Sequence, residues 1–412
     1  MDLRDRIDYL ESKGLVHKAK YERVELFVEA LKAYDGKKAV IDEELRLGGN
    51  FVVNRVVLHD LLKDPRRTMS EALRNPRDLP SPESMSSYGY RRISPEELNV
   101  PQFFPRDAGK YFTASIVIAR DPKGNLNASY HRILFKGSYG IMRVVPRHLY
   151  DIINARRTYG EDHLEAVIVI GVHPIVALAS ASTPPYGVYE LTVANALAHK
   201  LFHKEITVVD AWGFPVPLAE IIMRVRIHVE PSEPEGPFLD ILRLYDKPRP
   251  GYRVDFLDVY VRPDYILHAL LPGGEEHRIL MGFPRECSIY ETVSRVVPVK
   301  AVYLTPGGGS RLHAVISIKK RREGDGKNAI LAAFTGHPSL KHVVVVDEDI
   351  DVYDSNQVER SIATRFRADR DLVIIPGASG STLDPSSDGT IAKMGLDATI
   401  KGNKERFIGE RR

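Results

Sequence analysis

At 412 residues, 43% of them apolar and 27% charged, the chain has a globular composition and is too long for one compact core, so two or three domains are expected. A formal net charge of +3 is small, and cationic runs such as Lys319-Lys320-Arg321-Arg322 and Arg411-Arg412 lack the interleaved aromatics of a nucleic-acid surface, which argues against a nucleic-acid partner. No stretch is long enough for a membrane span, Met1 to Asp5 begins an amphipathic helix rather than a signal peptide, and the single Cys287 excludes an intrachain disulfide; a cytoplasmic protein is expected.

In chain order, residues 2–34 carry helical spacing (Leu3, Ile7, Leu10, then Val24, Phe27, Val28, Leu31) and predict two helices. Lys38 to Ile41 and Phe51 to Val53 read as short strands around a turn at Gly48-Gly49, with further helices over Val57 to Leu62 and Ser70 to Arg74. Residues 1–105 thus form a small mixed α/β domain that ends in a Pro-, Ser- and Arg-rich connection. Strands follow over Tyr111 to Ala119, Ala128 to Phe135 and Ile141 to Val145, then a helix from Pro146 to Arg157. Next come the apolar run Ala166 to Ile170, a helix from Tyr189 to His203, and strands at Ile206 to Val209, Ile221 to Val229 and Tyr252 to Val261. This pattern predicts an antiparallel, barrel-like domain over 106–285. Strand and helix then alternate over 286–385, which predicts a C-terminal α/β layer, and 386–412 reads as a tail that packs on the chain or on a second subunit.

Three groups of residues could carry chemistry. Glu235-Gly236-Pro237-Phe238-Leu239-Asp240 sets two carboxylates around a forced turn, and two acids held together out of water leave at least one with a raised pKa, ready to donate a proton. The same segment also fits an ordinary solvated turn. Arg132 can clamp a carboxylate bidentately; strict alternation puts it on the face opposite Asn127 unless a bulge intervenes. Asn127, His148 and Glu190, each at the edge of a regular element, make a mixed oxygen and nitrogen set suited to Mn²⁺ or Mg²⁺, although each also has a plain role in a turn or at a helix terminus. His199 and His203 lack a third zinc ligand and read as a surface face. Gly307-Gly308-Gly309 reads as a turn, and Asp347 to Asp351 as the end of a strand.

Several segments, in order, give the chain a resemblance to a known family. They are Pro101-Gln102, Asp107-Ala108-Gly109-Lys110-Tyr111, Asn127 to Arg132, Pro146-Arg147-His148, Ser182-Thr183-Pro184, Gly187-Val188-Tyr189-Glu190, Glu235 to Asp240, Gly282 to Glu286, Asp347 to Asp354, and Lys393 to Thr399. Across about residues 100–401 the sequence resembles the UbiD-type reversible decarboxylases that use prenylated flavin mononucleotide (prenylated FMN). The resemblance implies an α/β fold with an N-terminal α/β domain, a central flavin-binding split β-barrel and a C-terminal α/β domain with a dimerising tail.

It also implies roles for single residues. Arg132, Glu235 and Asp240 match the catalytic set. Asn127, His148 and Glu190 match the ligands of a divalent ion, Mn²⁺ or Mg²⁺, that ties the cofactor phosphate down, with K⁺ near Ser182 and Thr183. Ser129, Arg147, Pro184 and Lys341 complete the cofactor-binding set. Tyr130 and His131 stand where the family carries small residues, and would narrow or re-aim the substrate pocket.

Short archaeal chains of this type imply trans-anhydromevalonate 5-phosphate as substrate and isopentenyl phosphate and CO₂ as products. The near-absence of glutamine, found only at Gln102 and Gln357, fits such a thermophilic source. Candidate cations for the substrate phosphate are Lys136, Arg147 and Arg285. The alternatives are an aromatic or polyprenyl-4-hydroxybenzoate decarboxylase, and a non-catalytic flavin-phosphate binding protein. The implied partners are a flavin prenyltransferase as cofactor source and further copies of the chain, as a homodimer or hexamer.

Overall fold

The computed structural model describes residues 1–402 and 404–407, in two compact units that divide at Leu280/Met281. The first unit opens with the helix Leu3–Ser12, whose start is fixed by a capping box between Asp2 and Asp5. This helix packs on a four-stranded sheet ordered Val16–Lys18, Ala39–Asp42, Leu47–Gly49, Leu267–His268. Leu3, Ile7, Leu10, Ala39, Ile41, Phe51 and Val53 form the core beneath it. The turn predicted at Gly48-Gly49 is instead a strand, and the predicted strand at Phe51 to Val53 is irregular chain. The glycines serve close packing here. A Cβ on Gly48 would meet Ile266 and Phe51 at 2.7 Å, and one on Gly49 would meet the Ala269 carbonyl at 2.4 Å.

A nine-stranded antiparallel sheet dominates this unit. Its order is Tyr111–Phe112, Ile133–Phe135, Tyr139–Met142, Arg249–Val261, Ile221–Glu235, His163–Ile170, Ile116–Arg120, Leu126–Tyr130, with Arg91–Ile93 added beside Arg249–Val261. The predicted continuous strand from Ala128 to Phe135 is therefore two strands that lie near opposite ends of the sheet, joined only by His131 and Arg132. Three Cα–Cα steps reach at most about 11 Å, so the sheet must curl until its two ends nearly meet. That is the half-barrel the sequence implies, and Arg132 sits on its seam.

Val208–Ala211, predicted within the barrel, leaves it for a small sheet with Phe214–Pro217 and Glu83–Ser84. A helix over Pro174–Ala181, absent from the sequence reading, precedes the predicted one, which runs over Glu190–Phe202.

The second unit holds a five-stranded sheet ordered Val299–Leu304, His313–Ile318, His342–Asp347, Ile391–Asp397, Leu372–Ala378. Its three middle strands are parallel and its two outer pairings antiparallel, so the predicted parallel layer is mixed at both edges. Val343 and Val345 face one core with Ala329, Ile330 and Ala333, while Val344 and Val346 face another with Val358. Burial on both faces explains why this strand reads as an unbroken apolar run. Ile391–Asp397, expected in the tail, is the fourth strand. Arg365 bridges Asp347 and Asp349, which accounts for that acidic strand end.

Candidate active site

Arg132 is freed from strand alternation because it belongs to neither neighbouring strand. Glu235 is the last residue of the Ile221–Glu235 strand, after which Gly236, at φ +100°, and a cis Gly236–Pro237 bond turn the chain. The turn leads into a two-stranded hairpin, Phe238–Leu239 against Tyr245–Asp246, with Asp240 at its tip. Asp107 pins this hairpin in place. Its carboxylate accepts hydrogen bonds from the backbone amides of Leu239 and Phe104, each at 3.0 Å, while the Ala108 amide donates to the Pro237 carbonyl at 2.8 Å.

These elements converge on one guanidinium. Arg132 Nε and Nη2 donate to the two oxygens of Glu235, each at 2.9 Å, and Nη1 donates to Asp240 Oδ2. Tyr111 Oη donates to Glu235 Oε1 at 3.0 Å, and the Phe238 ring lies 4.5 Å from the Arg132 guanidinium carbon. The side chains are closed off from solvent: Glu235 is 0% exposed, Arg132 13% and Asp240 14%. All three residues of the catalytic set that the resemblance implies are thus brought together.

The raised carboxyl expected of this pair does not occur at Asp240. Burial pushes its pKa up, but Arg132 chiefly, with His277 and Arg143, outweighs burial and holds it below the usual aspartate value. Asp240 is therefore an anion, and Arg132 is fixed as a cation by Glu235 and Asp240 against the cost of its own burial.

Sequence reasoning missed the outer half of this cluster. Asp246, only 5% exposed at its side chain, lies 3.5 Å from Arg132 Nη2, accepts from Arg143 Nη1, and pairs with Arg249 at 3.0 Å. Tyr111 and Asp107 lay inside a quoted motif without a role. The one available signal for Asp246 was its place opposite Phe238 once the hairpin is drawn.

A second constellation stands on the neighbouring strand Leu126–Tyr130. Asn127 Nδ2 donates to Glu190 Oε1 at 2.8 Å, and the Ala128 amide donates to Glu190 Oε2 at 2.7 Å. Glu190, 2% exposed, has its carboxyl pushed up to about 8 by burial. A buried carboxylate with an amide beside it is a donor set that a divalent cation would neutralise, and the oxygen chemistry fits Mn²⁺ or Mg²⁺.

His148 begins the helix His148–Thr158 and stacks edge-on against Tyr186 at 5.3 Å, its ring kept neutral mainly by burial; no direct contact joins it to Asn127 or Glu190. Among the described residues no group of three or more His, Cys, Asp and Glu side chains is placed to hold a metal ion. The structure thus joins two of the three implied ligands.

Around them, Ser129 Oγ lies 3.1 Å from Asn127 Oδ1 and 3.0 Å from His131 Nε2. Ser182 caps the helix Pro174–Ala181, donating to the Ala179 carbonyl at 2.6 Å, with Thr183 exposed and Pro184 buried beside it. Arg147 is the exposed residue before the His148 helix, and Lys136 is exposed in the hairpin after Ile133–Phe135. Lys341 lies in the second unit, ion-paired with Asp384 at 2.9 Å.

Comparison with known proteins adds relatives to this geometry. Residues 83–275 match the Rift-related domain, and residues 278–398 the C-terminal domain, of the family described as 3-octaprenyl-4-hydroxybenzoate carboxy-lyase (UbiD). The chain is 40% identical to the anhydromevalonate phosphate decarboxylase of Archaeoglobus fulgidus over 99% of this chain and 95% of that one. It is 45% identical to the protein of that name from Methanothermobacter thermautotrophicus over 82% and 80%.

The UbiD-class enzyme HmfF of Pelotomaculum thermopropionicum, solved in complex with FMN, superposes with a TM-score of 0.94 at 35% identity, covering 100% of this chain and 97% of that one. An evolved dimeric form of that enzyme, solved with prFMN, superposes with a TM-score of 0.88 at 32% identity over 97% and 95%.

Proposed function

This chain belongs to the UbiD family of carboxy-lyases, and from that premise we propose that it decarboxylates trans-anhydromevalonate 5-phosphate to isopentenyl phosphate and CO₂ with the help of prenylated FMN. The observation that carries the reading is the Arg132–Glu235–Asp240 cluster, closed from solvent on the barrel seam. The names of the archaeal relatives supply the substrate, and the UbiD-class structures solved with FMN and prFMN support the cofactor.

When bound, prenylated FMN supplies an electron sink for the pair left behind by departing CO₂. The residues that would hold it are Asn127 and Glu190, through a divalent ion completed by His148, with K⁺ near Ser182 and Thr183, and with Ser129, Arg147 and Pro184 completing the set. Arg132 binds the substrate carboxylate. To do so it must release one of its present partners, and the bidentate Glu235 is the one that stays, being fixed by Tyr111 as well.

Asp240 is the partner that yields. Once the substrate carboxylate takes its place on Arg132, the chief influence lowering its pKa is shared with another anion, burial prevails, and Asp240 takes up a proton from solvent. That proton then goes to the carbon that loses CO₂: the C–C bond breaks and a C–H bond forms. Tyr130 and His131 line the same stretch as Arg132 and suit a smaller, aliphatic acid better than a wide aromatic one. The evolved dimeric form of a UbiD-class relative supports a homo-oligomeric assembly.

The test is to load the protein with prenylated FMN by co-production with a flavin prenyltransferase, then supply trans-anhydromevalonate 5-phosphate or hydroxybenzoates in turn. Isopentenyl phosphate and CO₂ from the first are the expected products. Turnover of hydroxybenzoates alone would overturn the substrate assignment.

A further inference from the structure

Resting on that reading, we propose that Asp246 is a positioning residue: it keeps Arg132 and Arg143 aimed, and their charge balanced, while Asp240 gives up its place on Arg132 to the substrate carboxylate. Three arginines and three acids are packed together here. Arg132 meets Glu235, Asp240 and Asp246; Arg143 and Arg249 both meet Asp246.

Asp246 is thus a carboxylate shared by all three guanidinium groups, and its side chain is 5% exposed. It is also tied mechanically to the group that moves. Asp246 pairs with Phe238 across the hairpin whose tip carries Asp240, and the Phe238 ring supports the guanidinium of Arg132. One hairpin therefore presents both acids to one arginine, Asp240 on Nη1 and Asp246 near Nη2.

The charge count shows why the third acid matters. With Asp246 in place the cluster is balanced, so Asp240 can become neutral as an incoming carboxylate replaces it without any net change. Without Asp246, an uncompensated guanidinium beside Arg132 would hold Asp240 as an anion, and the proton needed at carbon would arrive less often. The titratable and charged groups facing Asp240 are Arg132, Arg143 and His277, whose Nδ1 accepts from the Gly273 amide; those facing Asp246 are Arg132, Arg143 and Arg249.

The test measures proton uptake by calorimetry in buffers of different ionisation enthalpy when flavin-loaded protein binds 3-methyl-5-phosphooxypentanoate, the saturated acid that cannot lose CO₂. Wild-type protein is expected to take up about one proton near neutral pH through Asp240. Asp246→Asn should take up less than half as much, and the alkaline limb of its kcat profile should move down by about one pH unit, a tenfold loss of the acid form.

Asp246→Glu should restore both, and so should Asp246→Asn combined with Arg143→Gln, which rebalances charge without restoring the carboxylate. A residue that merely supports the fold would lower the melting temperature and leave uptake and pH limb in place. Equal uptake in wild type and Asp246→Asn would overturn the proposal. Should Asp246→Asn fail to fold, Arg143→Gln alone must raise the alkaline limb, and an unmoved limb there overturns it equally. Normal proton uptake without any turnover of the unsaturated acid would count against the substrate assignment and leave Asp246 in its role.

Discussion

Arg132 holds more acid than its single charge can neutralise, and that imbalance is what makes one of its partners exchangeable. Asp240, the partner with a single hydrogen bond to the guanidinium, is the exchangeable one, so Asp240→Asn is expected to lower kcat by about 10²- to 10⁴-fold, with flavin content unchanged by absorption spectroscopy. The same ion pair has a signature in acid. Its folded pKa is depressed, so its stabilisation is complete above the unfolded aspartate value of about 3.9 and is lost as pH falls through the folded value. Urea midpoints should therefore separate wild type from Asp240→Asn by about 1–3 kcal/mol at pH 7, and the gap should close below about pH 4.

At this scale the sequence was informative where residue type alone limits the chemistry: an arginine, and acids flanking Gly236-Pro237, admit few other uses once set in family order. It was silent on Asp246, Arg143 and Arg249, whose roles exist only after the hairpin register brings them to Arg132. The raised carboxyl it expected of the Glu235 and Asp240 pair does not appear at Asp240, because burial was foreseeable and the guanidinium directly on that carboxylate was not.

Elements rather than residues set how firmly Glu235 is held. Gly251 stands beside Glu235 on the adjoining strand, and an added Cβ there would come within 2.4 Å of Ile141 and 3.0 Å of the Glu235 Cβ. Gly251→Ala should therefore destabilise the protein by about 1–3 kcal/mol and lower kcat/KM as well. Gly48→Ala, which is also crowded but lies in the small N-terminal sheet, should show a stability loss while keeping kcat/KM at temperatures where the protein is folded. Thermal unfolding and steady-state kinetics on both variants check this; equal kinetic losses would count against a strand-borne role for Gly251.

The glycine pair also shows where element-level reading fails. Gly48-Gly49 has the composition of a turn, and local sequence carries no trace of Ile266 and Ala269, more than two hundred residues on, that make small side chains necessary. Strands buried on both faces, such as Val343 to Val346, were legible because continuous burial leaves a continuous apolar run. The seam was not, since Ala128 to Phe135 reads as one strand, and only the sheet order reveals that His131 and Arg132 step between its two ends.

For the molecule as a whole, the alternation of strands and helices in the last third marked a separate layer, and the structure gives the residues from Met281 onward a core of their own. Two cores with few shared determinants should open as two cooperative units. Gly395 offers a clean perturbation, because a Cβ there would sit 2.2 Å from Ile330 Cγ2, inside the second core, to which no residue of the Arg132 cluster belongs.

Amide hydrogen exchange on Gly395→Ala is expected to show lost protection in the strands His313–Ile318 and His342–Asp347, which share that core, while Ile221–Glu235 keeps its wild-type protection. Loss of protection spread evenly through Ile221–Glu235 would mean that the chain unfolds as one unit, and that the acids on Arg132 depend for their setting on a core to which they contribute no side chain.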